Sequence, residues 1–238
     1  MMLVTAGRVL AQLRRDHRTV ALILALPCLL LGLIAWMFDG TPVLDQFGPL
    51  LVGIFPLIVM FLVTSVATLR ERQSGTLERL MTTPVRQGDL VGGYALAFGA
   101  LALLQALVVV GFALVVGMEV AGPVWLVVLV ALLNAVLGSC LGLAASALAR
   151  TEFQAVQMMP ALIFPQLIVC GLLMPRDQMP EVLEWISRAF PLTYAVDAMQ
   201  QVAAGAGWAD VAGAVGVTVA FIVGAVALGV VTLRRRTP

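Results

Sequence analysis

Six apolar runs constrain this chain more than any other feature. They span Thr19–Met37, Phe47–Leu69, Leu90–Gly117, Pro123–Ala149, Phe153–Met174 and Val211–Leu233, and none contains Asp, Glu, Arg or His. A helix that crosses a bilayer needs about 20 mostly apolar residues rising 1.5 Å each, and every run meets that length. The breaks between them carry Gly, Pro or charge, as in Asp39-Gly40-Thr41-Pro42, Gly122-Pro123 and Arg150-Thr151-Glu152. Composition agrees. The chain is 61% hydrophobic and 11% charged, whereas soluble domains are about 45–50% apolar and 25% charged. The expected fold is an all-α membrane protein with six transmembrane helices.

The arginines orient the spans. Arg8, Arg14, Arg15 and Arg18 precede the first run, and Arg70, Arg72, Arg79 and Arg86 separate the second from the third. Arg150 follows the fourth, and Arg234, Arg235 and Arg236 follow the sixth. Only Arg176 and Arg188 fall on the other side, among Asp177, Glu181, Glu184, Asp197 and Asp210. The positive-inside rule places the larger group, and both termini, in the cytoplasm. The expected location is therefore a plasma membrane, the inner one in a bacterium. Residues 1–18 read as a cytoplasmic interfacial helix. Its apolar face is Leu3, Ala6, Val9, Leu10 and Leu13, and its polar face Arg8, Gln12, Arg15 and Arg18. Residues 19–238 then form one six-span domain.

Several chemistries are excluded. All 14 basic residues are Arg, so the chain lacks the Lys that a P-loop uses to reach nucleotide phosphates. With His17 as the single histidine, no His-based triad or His-carboxylate zinc site can be assembled. Cys28, Cys140 and Cys170 lie far apart inside apolar runs, and read as small buried hydrophobes rather than ligands. No basic patch is interleaved with aromatics, so no nucleic-acid partner is expected. Proton- or ion-coupled carriers keep ionisable groups at mid-membrane depth, and their absence here argues against that class. Recurrent small residues (Gly138, Gly142 and Ser146; Ala212, Gly216, Ala220 and Gly224) read as helix-packing ladders, within the subunit or across a dimer.

What remains is a polar island, Arg70–Asp89, with the sequence RERQSGTLERLMTTPVRQGD. It is too long and too structured for a mere turn. Ser74 can cap a short helix over Thr76–Met81, Glu78 can reach back to its first turn, and Pro84 ends it. Leu77, Leu80 and Met81 form an apolar knob among charges, a shape suited to a groove on a partner. The competing reading is a membrane-surface helix.

RERQSGTLERLMTTPV resembles the cytoplasmic signature of type-2 ABC transporter permeases, in the branch of daunorubicin-type and nodulation-factor exporters. A second block, GLLMPRDQMPEVLEWISRAFPLTYAVDAMQ (Gly171–Gln200), is similar to that family's exofacial segment, here residues 175–210. The resemblance implies a coupling helix at Gly75, Thr76, Leu77, Glu78, Arg79, Leu80 and Met81, closed by Pro84, within a coupling segment 70–89. It implies a substrate path lined by the second and fifth spans, with Thr64, Thr68, Gln154, Gln157 and Phe164 as candidates. It also implies the partners: two copies of a cytoplasmic ATPase, which hold the ATP and Mg, a second permease subunit, and membrane lipid. The chain itself would bind no cofactor and perform no catalysis. The expected function is export of a hydrophobic or amphipathic, drug- or lipid-like substrate. The alternatives are a membrane scaffold or sensor that recruits a cytoplasmic partner, and a proton-coupled efflux carrier.

Overall fold

The computed structural model describes residues 2–73 and 87–234, all helical or in short connections. A short amphipathic helix, α1 (Met2–Arg15), is followed by α2 (His17–Met37) and α3 (Val43–Gln73). Next come α4 (Gln87–Val115), α5 (Val124–Leu148) and α6 (Glu152–Val169). A 3-10 turn (Arg176–Gln178) leads to α7 (Glu181–Ser187), α8 (Pro191–Ala203) and α9 (Trp208–Arg234). Among the described residues, five helices are long and apolar enough to cross a membrane: α3 and α5 over their full length, and Thr19–Met37, Gly92–Val115 and Trp208–Ala227 within α2, α4 and α9. The chain is an all-α, multi-pass membrane protein.

The helices begin and end where local chemistry dictates. Asp16 accepts from the backbone N–H of Thr19 at 3.2 Å and from its hydroxyl at 2.6 Å, capping α2. The predicted interfacial helix 1–18 is therefore shorter. It stops at Arg15, and His17 and Arg18 belong to the first turn of α2. Gly40 and Gly117 adopt φ of +72° and +98°, which only glycine takes at little cost, in the turns after α2 and α4. The predicted fifth span also differs. Its helix, α6, has 18 residues, about 27 Å at 1.5 Å each. It ends five residues short of Met174 because Gly171 turns the chain at φ +95°. Pro160 and Pro165 lie inside it and withhold two backbone donors.

The centre of the bundle is the α3–α5 pair. In each, 61% of the most apolar stretch is buried, against 17% in α2 and in α9. The pair meets through the first small-residue ladder. A Cβ on Gly142 would sit 2.5 Å from the Phe61 carbonyl oxygen, and one on Gly138 would strike the Leu57 carbonyl. Such an approach lets two backbones touch. Around it, Leu50, Ile54, Leu57 and Phe61 of α3 pack with Leu137 of α5, Ile163 of α6 and Leu192 of α8. The second ladder faces out of the subunit: a Cβ on Gly216 or Gly224 would meet nothing within 4 Å.

At the end away from α1, the connections are stitched together. Asp45 accepts from the Glu119 backbone N–H at 2.7 Å, and Ala121 donates to the Ala203 carbonyl at 3.2 Å. Trp125 and Trp208 lie 6.1 Å apart there, about half exposed, and Trp36 is 81% exposed. Exposed indoles at helix ends are the usual furniture of a membrane–water interface.

Candidate functional site at the arginine-rich end

The polar island does not begin as a loop. Helix α3 continues four residues past Leu69, so Arg70, Glu71, Arg72 and Gln73 stand on its last turn. Arg70 donates from Nε to Glu152 Oε1 at 2.8 Å and from Nη2 to Oε2 at 2.9 Å, a two-pronged pair. The Arg70 hydrogen bond holds the Glu152 carboxyl below the usual carboxylate range. Arg72 donates to the Ser146 carbonyl, and Gln73 Nε2 to the Arg150 carbonyl at 2.9 Å. Three polar side chains of this last turn thus fasten the end of α3 to the α5–α6 corner.

Glu71 turns the other way and is only 5% exposed. Its Oε1 accepts from Arg8 Nη1 of α1 at 3.3 Å, and Arg8 Nη2 donates to the Tyr94 hydroxyl of α4 at 3.2 Å. Three helices therefore meet at one guanidinium. The sequence pattern sets Arg8 on the polar face of an interfacial helix; the structure instead points it into the bundle. Thr5, Ala6 and Val9 are buried on the same side, while Leu3 and Val4 are more than 70% exposed. A cavity of about 100 Å³ lies beside this junction, lined by Val63, Val66, Ala67 and Glu71 of α3 and by Tyr94 of α4, among others.

The coupling-helix residues Gly75, Thr76, Leu77, Glu78, Arg79, Leu80, Met81 and Pro84 lie outside the described residues. The five path candidates separate. Thr64 is fully buried and Thr68 half-buried, and neither hydroxyl has a hydrogen-bond partner among the described residues. Gln154, Gln157 and Phe164 are exposed on the outer face of α6. A fully buried Thr64 and an exposed Phe164 do not line one open surface within this subunit. Gln154 has a local task as well. Thr151 Oγ1 accepts from its N–H at 3.2 Å and its own Oε1 accepts from the Arg150 N–H at 2.8 Å, a near-capping-box at the start of α6.

The three buried amides of the spans make structural contacts. Asn134 Nδ2 donates to the Gly53 carbonyl at 3.0 Å, in the turn of α3 that Pro56 loosens. Gln105 Nε2 donates to the Ile23 carbonyl at 3.2 Å, and Gln166 folds back on Leu162 at 2.9 Å. The thiols of Cys140 and Cys170 are buried, while Cys28, read from the sequence as buried too, is half-buried. Among the described residues, no cluster of His, Cys, Asp or Glu could hold a metal ion.

Arg8, Glu71, Tyr94 and Glu152 are the residues that sequence reasoning missed. A signal for two of them was available. Glu71 stands seven residues after Thr64, hence on the same helix face, and Arg8 stands three after Thr5 and one before Val9, on the flank of the buried face.

The chain is 31% identical over 160 residues to ABC transporter G family member 20 of Dictyostelium discoideum, covering 67% of this chain and 22% of that protein. It is 28% identical over 169 residues to the linearmycin resistance permease protein LnrN of Bacillus subtilis, covering 70% and 43%. It is 26% identical over 153 residues to the probable multidrug ABC transporter permease YbhS of Escherichia coli, covering 63% and 40%. The chain thus spans less than half the length of these curated relatives. The family model described as ABC-2 type transporter matches residues 2–203. On that match, which takes in α1 to α8, the chain belongs to the ABC-2 type transporter family.

Proposed function

We propose that the chain is the membrane permease subunit of an ABC exporter, moving hydrophobic or amphipathic, drug-like molecules out of the cytoplasm. The observation that carries this is the family match across residues 2–203, joined to relatives whose names speak of multidrug transport and linearmycin resistance. Membership of a permease family implies that ATP hydrolysis, with its Mg, belongs to a separate subunit. In this reading α6 and the residues to Met174 make a sixth crossing, the arginine-rich end faces the cytoplasm of a bacterial inner membrane, and α7 and α8 lie outside. Two permease subunits, identical or homologous, come together and dock two ATPases. The outward face of α6, with Gln154, Gln157 and Phe164, and the small-residue ladder of α9 are then available to the second subunit or to substrate.

Residues 70–89 are the proposed docking segment. Its apolar knob of Leu77, Leu80 and Met81 fills a groove on the ATPase, each anchor contributing ~1.5–3 kcal/mol when buried. ATP binding favours one transporter state over the other, and the differential affinity drives the switch. Leu77→Asp with Leu80→Asp tests the reading, with pull-down of the ATPase and export of an amphipathic dye measured at matched membrane levels. Loss of both is the expected result. A double variant that still binds its ATPase and still exports would overturn the docking assignment.

A further inference from the structure

The cavity of about 100 Å³ beside Glu71 and Tyr94 draws its lining from α1, α2, α3 and α4. Its polarity is graded along the helix axes. On α3 the lining runs from Val63 through Val66 and Ala67 to Arg70 and Glu71, and Val63 lies about 10 Å below Arg70 at 1.5 Å per residue. On α4, Phe98 lies about one turn deeper than Tyr94. The lining residues nearest the arginine-rich end, Gln12, Asp16 and Thr19 with Arg70 and Glu71, are polar or charged. The deeper ones, Val63, Val66, Ala67 and Phe98, are apolar. The change falls at Leu69, where the apolar run of α3 ends. A cavity that is apolar on its bilayer side and charged at the membrane edge has the polarity of an amphiphile standing in one leaflet.

Size and charge narrow the ligand. A drug-sized molecule fills ~300–1,000 Å³, so this cavity can hold only part of a ligand whose remainder lies in the bilayer. That describes a lipid rather than an enclosed drug. The charges at the membrane edge are of both signs. Arg70 pairs with Glu152 and Arg8 with Glu71, and the Asp16 carboxylate is near enough to act on the Arg70 charge. A head bearing phosphate alone would face the Asp16 and Glu71 carboxylates, and one bearing ammonium alone would face Arg70. A headgroup with both charges can set each beside its opposite. Asp16 also caps α2, but a carboxylate offers about four acceptor sites, so a capping residue can accept a further donor.

We propose that this cavity is a lipid site, which takes a phospholipid whose headgroup carries both a phosphate and an ammonium. The phosphate lies toward Arg70 and the ammonium toward Asp16 and Glu71. The upper part of one acyl chain lies on Val63, Ala67 and Phe98. The ligand is a resident lipid rather than cargo, and the site stands whether or not the exporter reading does.

The test uses the full chain purified in detergent. Lipid binding is followed by native mass spectrometry, and thermal unfolding without lipid checks that each variant is folded. Three probes of equal chain length are compared: phosphatidylethanolamine, phosphatidylglycerol, which has the phosphate alone, and a dialkylammonium amphiphile, which has the ammonium alone. The first should bind at least about tenfold more tightly than either of the others, the scale of one hydrogen bond to a charged group. Asp16→Asn removes a charge while keeping a good capping residue. It should weaken phosphatidylethanolamine by about tenfold and leave phosphatidylglycerol no weaker. Ala67→Leu fills the apolar end and should abolish the preference among the probes. Equal binding of all three by the parent chain would overturn the proposal, because it marks ordinary annular lipid. Tightest binding of either singly charged probe would overturn the headgroup assignment. Undiminished phosphatidylethanolamine binding in Asp16→Asn, or in folded Ala67→Leu, would place the lipid elsewhere and overturn the site. Where Ala67→Leu fails to fold, Asp16→Asn decides alone.

Discussion

Gly138 of α5 lies against the backbone carbonyl of Leu57 of α3, closely enough that a side chain of any size at 138 would collide with main chain rather than with a flexible neighbour. One turn on, Gly142 repeats the arrangement: a Cβ there would lie 2.5 Å from the Phe61 carbonyl oxygen. With no hydrophobic driving force between helices inside a bilayer, close van der Waals contact of this kind holds a helix pair together. Gly138→Val should therefore destabilise the purified protein by about 1–3 kcal/mol, the usual cost of overpacking. Gly216→Ala, where open space surrounds the added methyl, should leave monomer stability unchanged. Thermal unfolding in detergent compares the two directly.

Asn134 and the Gly53 carbonyl form a buried hydrogen bond between the same two helices. Hydrogen bonds within membrane proteins average about 0.6 kcal/mol and reach about 1.7. Asn134→Ala should cost about 1 kcal/mol by unfolding, less than the glycine substitution. A larger loss than Gly138→Val would show that polar contact, rather than backbone approach, holds the central pair.

Asp197 of α8 and Arg176 before α7 form an ion pair in which both side chains are about one-quarter exposed. Burial pushes the Asp197 carboxyl up, and the Arg176 charge and hydrogen bond pull it back only in part. The native chain thus holds a proton here more readily than the unfolded chain. The resulting contribution to stability is fully present below about pH 3.9, the ordinary Asp value, and is lost as pH rises through the higher folded value. Asp197→Asn should flatten that part of the stability–pH curve. Arg176→Met should raise the Asp197 titration further and cost about 1–3 kcal/mol near neutral pH, where the carboxylate loses its charged partner. Unfolding from pH 3 to pH 7 reads both.

Single-cysteine labelling tests the orientation. Probes at Ser74 and Thr237 should react only from the cytoplasmic side, and one at Gln178 only from outside. Labelling of Thr237 from outside would leave an odd number of crossings and remove α6 from the count.

Much of the architecture was legible in the chain. A charge-free apolar run of about twenty residues has one stable form in a bilayer, because every backbone N–H and C=O must be satisfied within the segment. That argument located α2, α3, α4, α5 and α9 to within a few residues. The α5 ladder of Gly138 and Gly142 was legible as a packing face for a similar reason, since only small residues allow backbones to touch. Helix ends were less so. Leu69 ends the apolar run, yet α3 continues through Arg70–Gln73 because the α5–α6 corner offers Glu152, the Ser146 carbonyl and the Arg150 carbonyl to those side chains.

The candidate site divides along the same line. Hydropathy and arginine placement, which are properties of single segments, determined that this is a helical membrane protein with a polar island at one end. They could not determine which charges of that end stay in solvent. Arg8 and Arg70 look alike in the chain, yet one is drawn inside by Glu71 and Tyr94 while the other remains half exposed on Glu152. Likewise the resemblance groups Thr64 of the second span with Gln154, Gln157 and Phe164 of the fifth, but within this subunit the threonine is buried and the α6 residues are exposed. An ion pair between residues 63 apart in sequence depends on where two helices come to rest, and only the tertiary structure decides that.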